Sequence, residues 1–180
     1  MIHEQTQQTA NSCRRVLSAS QPSCQLRPFQ PGEAADLLNL FRDTIRRVNC
    51  RDYAPDQIAA WASDTIDPRT WEAQFASRFT CVAERDGVIV GFADLEANGH
   101  LDRFYIHADY QRQGIGQYLL REMESEAQRR RLPRLFTEAS ITARPFFESQ
   151  GFVTLAGQTV ACRGASFKNF RMEKILPSAP

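Results

Sequence analysis

The residues that bear most directly on chemistry are Gln111-Arg112-Gln113-Gly114-Ile115-Gly116. They follow a predicted strand, His100 to Ile106, and open a periodic helix over about Gly114 to Arg131. Glycines at 114 and 116 allow a sharp turn and leave the neighbouring amides uncovered. The helix adds its unpaired first N–H groups and the positive end of its dipole. Such a turn seats a phosphate or pyrophosphate on backbone donors. Glycine spacing alone does not name the ligand. The dinucleotide fingerprint needs a third small residue where Leu119 stands and a strand early in the chain, and a P-loop needs Gly-Lys-Ser/Thr. None of these conditions is met. What remains is a late strand, a glycine turn, a helix, and then a strand at Leu135 to Ala139. The helical crossover requires that strand to run parallel to the one ending at Ile106.

The elements that must hold this turn are legible from periodicity. Leu26-Arg27-Pro28-Phe29 predicts a short first strand. Ala34, Leu37, Leu38, Phe41 and Ile45 recur at helical spacing, Pro55 opens a second helix with Ile58 and Trp61, and Asp67-Pro68 starts a third with Trp71 and Phe75. Phe79 to Glu84 and Val88 to Leu95 form a hairpin across Asp86-Gly87, and Asn98-Gly99 leads into the strand at His100. Ile115, Leu119, Leu120, Met123 and Ala127 make an apolar stripe that reads as core packing. Arg129, Arg130 and Arg131 complement the C-terminal end of that helix dipole. A short helix from Ala143 to Gln150 stops at Gly151. Strands at Phe152 to Leu155, Gln158 to Cys162 and Phe167 to Ile175 complete one sheet.

The chain has 180 residues, enough for one domain, read as Leu26 to Leu176 with tails at 1–25 and 177–180. Net charge is +1, which gives no bulk attraction to nucleic acid or an anionic membrane. Five cysteines at wide spacing, with no C-x-x-C, fit reduced thiols in a cytoplasm and no zinc site. No apolar run spans a bilayer, and Met1 to Gln25 lacks the apolar segment of a secretory signal.

Phe104 through Gly116 resembles the pyrophosphate motif of the GNAT superfamily of acyl-CoA-dependent N-acyltransferases, including its Q/R-x-x-G-x-G/A core. Ala143-Arg144-Pro145-Phe146-Phe147-Glu148-Ser149-Gln150-Gly151-Phe152 is similar to that family's second motif, A-x-x-F-Y-E-x-x-G-F. The Thr142 to Phe147 run and the closing Asn169-Phe170-Arg171-Met172-Glu173-Lys174 look closest to its YafP-like bacterial subgroup. The resemblance covers about Leu26 to Leu176. It implies an α/β fold with a mostly antiparallel twisted sheet, one parallel splayed strand pair and helices on both faces. It also implies acetyl-CoA as cosubstrate without a metal, an amine acceptor, direct attack in a ternary complex, and compatibility with a homodimer.

On that resemblance, Gln111, Arg112, Gln113, Gly114, Ile115, Gly116 and Gln117 hold the pyrophosphate through their amides. The pantetheine arm runs along Tyr105 and Ile106, and an N–H near Ile106 polarises the thioester carbonyl. An amine of pKa ~10 must lose a proton before attack. The family often places an acid on the strand before the glycine turn; Asp102 matches one such position and His100 another, two residues apart and so on one strand face. Asp102 is the expected base, with His100 next; Asp94 and Glu96 share a face of the neighbouring strand. Two positions depart from the family pattern. Phe147 stands where a Tyr usually protonates the leaving thiolate, and Ser140 stands where an Asn usually contacts the pantetheine. Tyr105 or Ser140 could substitute as the proton donor. Tyr53, Trp61 and Trp71 either line the acceptor side or belong to the core, and Asp52 and Glu72 could attract a cationic amine. Two other classes remain open: a non-catalytic acyl-CoA-binding module, supported by Phe147, and an Arg-rich nucleic-acid binder, which near-neutral charge opposes.

Overall fold

Two small sheets, and not one, carry the chain. The computed structural model describes residues 24–177. The expected tail at 1–25 therefore falls almost wholly outside them. The first sheet has the order β1-β2-β3-β4, from Gln25–Pro28, Phe79–Arg85, Val88–Leu95 and Leu101–Ile106. The second has the order β5-β7-β6, from Arg134–Ser140, Ala165–Ile175 and Val153–Cys162. Every ladder is antiparallel. Helices α1 (Ala34–Arg47), α2 (Pro55–Trp61) and α3 (Pro68–Ser77) lie between β1 and β2 in sequence. Helix α4 (Ile115–Arg129) joins β4 to β5, and α5 (Arg144–Ser149) joins β5 to β6.

Local chemistry accounts for most of these boundaries. Asp67 accepts the Arg69 N–H at 2.9 Å, and Pro68 supplies the first residue of α3. Asp86 and Gly87 both take positive φ, as a two-residue turn matching strand twist requires. The apolar stripes then sort to opposite faces of the first sheet. Leu37, Leu38, Ile45, Trp71 and Phe75 pack with Val82 and Phe92 on one face. Leu119, Leu120 and Met123 pack with Cys81, Ala93 and Leu135 on the other.

Three sequence expectations are corrected. The strands expected at 152–155 and 158–162 are one strand, β6, with a register shift between Thr154 and Ala156. Pairing along β7 keeps Ala156-Gly157 extended despite their loop-like composition, and Gly157 faces the Phe170 ring. Gly114 precedes α4 as its left-handed N-cap, and the helix ends at Arg129. The single expected sheet is divided because β5 pairs with β7 along its length but meets the first sheet at one parallel bridge, His100 to Phe136.

Gly99 makes that bridge. Its carbonyl accepts the Phe136 N–H at 3.0 Å, and a Cβ built on it would lie 2.4 Å from the Arg134 oxygen. Its φ of +94° adds strain for any other residue. Gly99→Ala is expected to destabilise the fold by at least about 2 kcal/mol. In a thermal melt that is a fall of roughly 4–8 °C; an unchanged midpoint would mean that the two sheets do not depend on this contact.

Candidate functional site

A cleft of about 890 Å³ opens where β4 and β5 part, and it runs to the N-terminus of α4. Its donors come from the backbone. The His107 N–H bonds the Val90 carbonyl at 2.9 Å, so alternation along the ladder points Tyr105 toward β3 and Ile106 away from it. The Ile106 N–H therefore faces the cleft. The Ile106 carbonyl is held by two side chains: Thr44 Oγ1 donates at 3.0 Å and Gln111 Nε2 at 2.7 Å. Both bonds fix the end of β4 against α1 and the following turn.

A β-bulge helps β4 diverge. Ala93 pairs with Phe104 and Leu95 with Leu101, so β4 spends three steps against two on β3. The Arg103 N–H inside this bulge is taken by the Asp94 carboxylate at 2.7 Å.

The glycine turn follows. Gly114 has φ +82° with open space where a side chain would stand. Among the described residues, the backbone N–H groups of Arg112 through Gln117 have no protein acceptor outside the helix ladder, whose first recorded bond here is Tyr118 N–H to Gly114 O at 3.0 Å. Such a run of unpaired donors at a helix N-terminus is able to seat an anion. Within it, Gly116 plays a different part from the one expected. Its φ is ordinary, and the left-handed residue beside Gly114 is Arg112, at +58°. Gly116 is small because the Phe146 ring lies 3.2 Å from where its Cβ would be. Arg112, Gly114, Ile115, Gly116 and Gln117 line the cleft. The Gln113 side chain does not: it accepts from Arg85 at 2.7 Å and donates to the Asp109 carbonyl at 3.2 Å.

Phe146 and Phe147 form one wall with Phe104, at ring separations of 5.2 to 5.5 Å. Phe147 is 2 % exposed and carries no proton to give. Ser140 lines the cleft and uses its oxygen to accept the Ala143 N–H at 3.0 Å. Tyr105 lies between Phe92 and Phe41, and burial pushes its hydroxyl well above the usual phenol range, so it is a weak proton donor at neutral pH. Trp61 lines the cleft, whereas Trp71 is core, edge-on to Phe41 and Phe75. The Tyr53 hydroxyl braces the turn after β5, accepting from Ile141 N–H at 2.9 Å and donating to the Lys168 carbonyl at 2.8 Å. Asp52 accepts from Thr142, and Glu72 accepts from Gly32 away from the cleft.

The acidic candidates separate sharply. Asp102 lines the cleft, but Arg78 donates to it at 2.5 Å and Arg103 lies 3.2 Å away. Burial raises its pKa, yet the Arg78 hydrogen bond and both arginine charges outweigh that and hold it below the ordinary carboxylate range. A carboxylate so held is a poor proton acceptor at neutral pH. The expected role of Asp102 as base is therefore set aside; the residue is a partner in an arginine network. Asp94 is fully buried between the same two arginines. His100 instead contacts a residue that the sequence reading missed, Glu138, with Nε2 2.6 Å from its carboxylate. Glu138 lines the cleft two residues before Ser140 on β5, and so on the same strand face. That spacing was visible in the sequence. Thr44, a lone hydroxyl on the apolar stripe of α1, was the other legible signal.

Among the described residues, no group of three His, Cys, Asp or Glu side chains could hold a metal ion, and no helix is long and apolar enough to cross a membrane.

Residues 49–174 match the acetyltransferase (GNAT) domain family. The chain is 36 % identical over 149 residues to the uncharacterised N-acetyltransferase YafP of Escherichia coli K12, covering 82 % of this chain and 93 % of that one. A solved GCN5-related N-acetyltransferase from Rhodopseudomonas palustris superposes with TM-score 0.82 at 34 % identity, over 89 % of this chain and 99 % of its own. The PaiA N-acetyltransferase of Thermoplasma acidophilum, solved with coenzyme A, shares the fold at TM-score 0.70 and 18 % identity, over 85 % of this chain and 99 % of its own.

The arginine network makes a pH-dependent statement. A depressed folded pKa contributes stability above the unfolded carboxylate value near ~3.9, which is lost as pH falls through the folded value. Asp102→Asn should cost about 1 kcal/mol at pH 7, since the pair is partly solvated. The gap between variant and parent should close as the pH is lowered toward 3, followed by denaturant titration. A gap that persists in acid would assign the loss to something other than charge.

Proposed function

The chain belongs to the GNAT acetyltransferase family, and we propose that it moves an acetyl group from acetyl-CoA to an amine of a small molecule or peptide, by direct attack in a ternary complex. The observation that carries this reading is the run of uncovered N–H groups from Arg112 to Gln117 at the head of α4, continuous with a cleft that reaches the Ile106 N–H. The diphosphate of coenzyme A sits on that run, where aligned donors and the helix dipole favour anionic oxygens. The pantetheine arm follows the edge of β4 that faces the gap, with the Phe146–Phe147 wall opposite and the Ser140 hydroxyl in reach. The Ile106 N–H then donates to the thioester carbonyl and stabilises the charge that develops on its oxygen. Thr44 and Gln111 hold this peptide unit in place through the Ile106 carbonyl.

The acceptor nitrogen attacks the thioester carbon. The C–N bond forms, the C–S bond breaks, and coenzyme A leaves as a thiolate. A thiol of pKa ~8.5 is a workable leaving group without a tyrosine, which answers the departure at Phe147. The Ser140 O–H, on the cleft wall, serves as the proton source; Tyr105 is less suited because its hydroxyl is too weak an acid. A bacterial cytoplasm suits this reading, since the described cysteines Cys24, Cys50, Cys81 and Cys162 are all free thiols.

Calorimetry with acetyl-CoA should give saturable binding, and Gly114→Ala should weaken it about tenfold, or ~1.4 kcal/mol, because a methyl would stand at the anion seat in a left-handed residue. Thiol release across an amine panel should show turnover. Binding without turnover on any amine would favour a non-catalytic acyl-CoA-binding module, and binding indifferent to Gly114→Ala would move the diphosphate elsewhere.

A further inference from the structure

Two carboxylates line the cleft, and their surroundings are opposite. Asp102 is ion-paired with Arg78 and Arg103. Among the described residues, the only basic side chain in contact with the Glu138 carboxylate is the His100 imidazole. Glu138 is also the more open to solvent, with its side chain 38 % exposed against 34 % for Asp102.

The His100 ring is held from three directions. Its Nε2 is 2.6 Å from Glu138, its Nδ1 is 3.4 Å from Glu96, and its face stacks on Phe136 at 5.0 Å. Glu96 is in turn bound by Arg78 at 2.6 Å. The Glu138 carboxylate is thereby fixed beside the closed end of the gap between β4 and β5 by an imidazole, and among the described residues no guanidinium competes for it. Arg171 lies opposite Glu138 across the β5–β7 ladder without forming an ion pair with it among the described residues. The charged groups facing the pair are thus Asp102 from β4, Glu96 from the turn after β3, Arg78 behind them and Arg171 from β7.

We infer that Glu138 is the catalytic proton acceptor for an alkylammonium acceptor substrate, with His100 as its positioning residue; this rests on the acetyltransferase reading above. The ammonium gives one proton to the Glu138 carboxylate. The free amine then attacks the thioester carbon, the C–N bond forms as the C–S bond breaks, and the second N–H proton reaches the departing sulfur through the Ser140 hydroxyl, which gives its own proton and takes this one in exchange. Glu138 returns its proton to water through its exposed side. A cationic amine is drawn to this end of the gap because, among the described residues, the cleft carboxylate that no arginine neutralises stands there.

The test compares the full-length parent chain with Glu138→Gln, Glu138→Asp and His100→Gln, using acetyl-CoA and the best amine of a panel. Glu138→Gln should lower kcat about 100-fold or more at pH 7, the usual worth of a positioned base, with acetyl-CoA affinity within twofold of the parent. Its rate should recover steadily as pH approaches the amine pKa of ~10, because free amine then comes from solution. Glu138→Asp should restore part of the loss, and His100→Gln should lower kcat about tenfold and shift the acidic limb of the pH profile. A Glu138→Gln rate within threefold of the parent overturns the assignment, as does a loss that is flat with pH or matched by lost acetyl-CoA binding. A parent protein that binds acetyl-CoA but acetylates no amine sinks the acetyltransferase reading, and the role of Glu138 with it.

Discussion

The contact between β4 and β5 is deliberately incomplete, and the rest of the molecule follows from that. Two parallel strands joined by a helix would ordinarily zip into one sheet, since each leaves unpaired backbone groups along its edge. Here they touch at His100 and Phe136 and then part. On one side, β5 satisfies its other edge against β7 over its whole length, from Arg134–Ile175 to Ser140–Asn169. On the other, the bulge at Asp102-Arg103 turns β4 away, and Gly99 lets the two backbones meet closely at the closed end. The amides left over in the gap become donors for a ligand.

Keeping such a gap open needs stiff walls. The two apolar clusters flank the first sheet, one built with α1 and α3 and the other with α4, and each reaches the cleft through one aromatic residue of β4. Tyr105 belongs to the first cluster and Phe104 to the second, as adjacent residues of a strand must. Thr44 ties α1 to the last carbonyl of the strand, and Tyr53 ties the turn after β5 to β7. These are few polar bonds, each part-buried, and each pins one backbone group of the cleft frame.

Charge around the bulge is organised by exclusion. Arg78 gathers Asp94, Glu96 and Asp102, and Arg103 shares Asp94 and Asp102 while its guanidinium lies 4.6 Å over Trp71. Burial pushes the Asp94 carboxyl up, against the pull of Arg103 and Arg78. A buried acid costs heavily unless paired, so the arginines are committed to structure. That commitment leaves Glu138 and His100 as the ionisable pair at the cleft with no arginine attached.

By itself the sequence determined what is local. Helical and strand periods, the proline and aspartate helix starts and the Asp86-Gly87 turn each depend on a few neighbouring residues, and apart from the joined β6 strand and the ends of α4 they stand where the pattern put them. The tertiary structure decided what depends on distant partners. It chose β7 over β4 as the neighbour of β5, so one expected sheet became two. It gave Gly116 to the Phe146 ring and not to a turn. It paired Asp102 with arginines 24 residues before it and beside it, and brought Glu138 to His100 across 38 residues. The physical reason is that a side chain's charge state and reach are set by what surrounds it, and those surroundings are assembled only when separate strands and helices pack together.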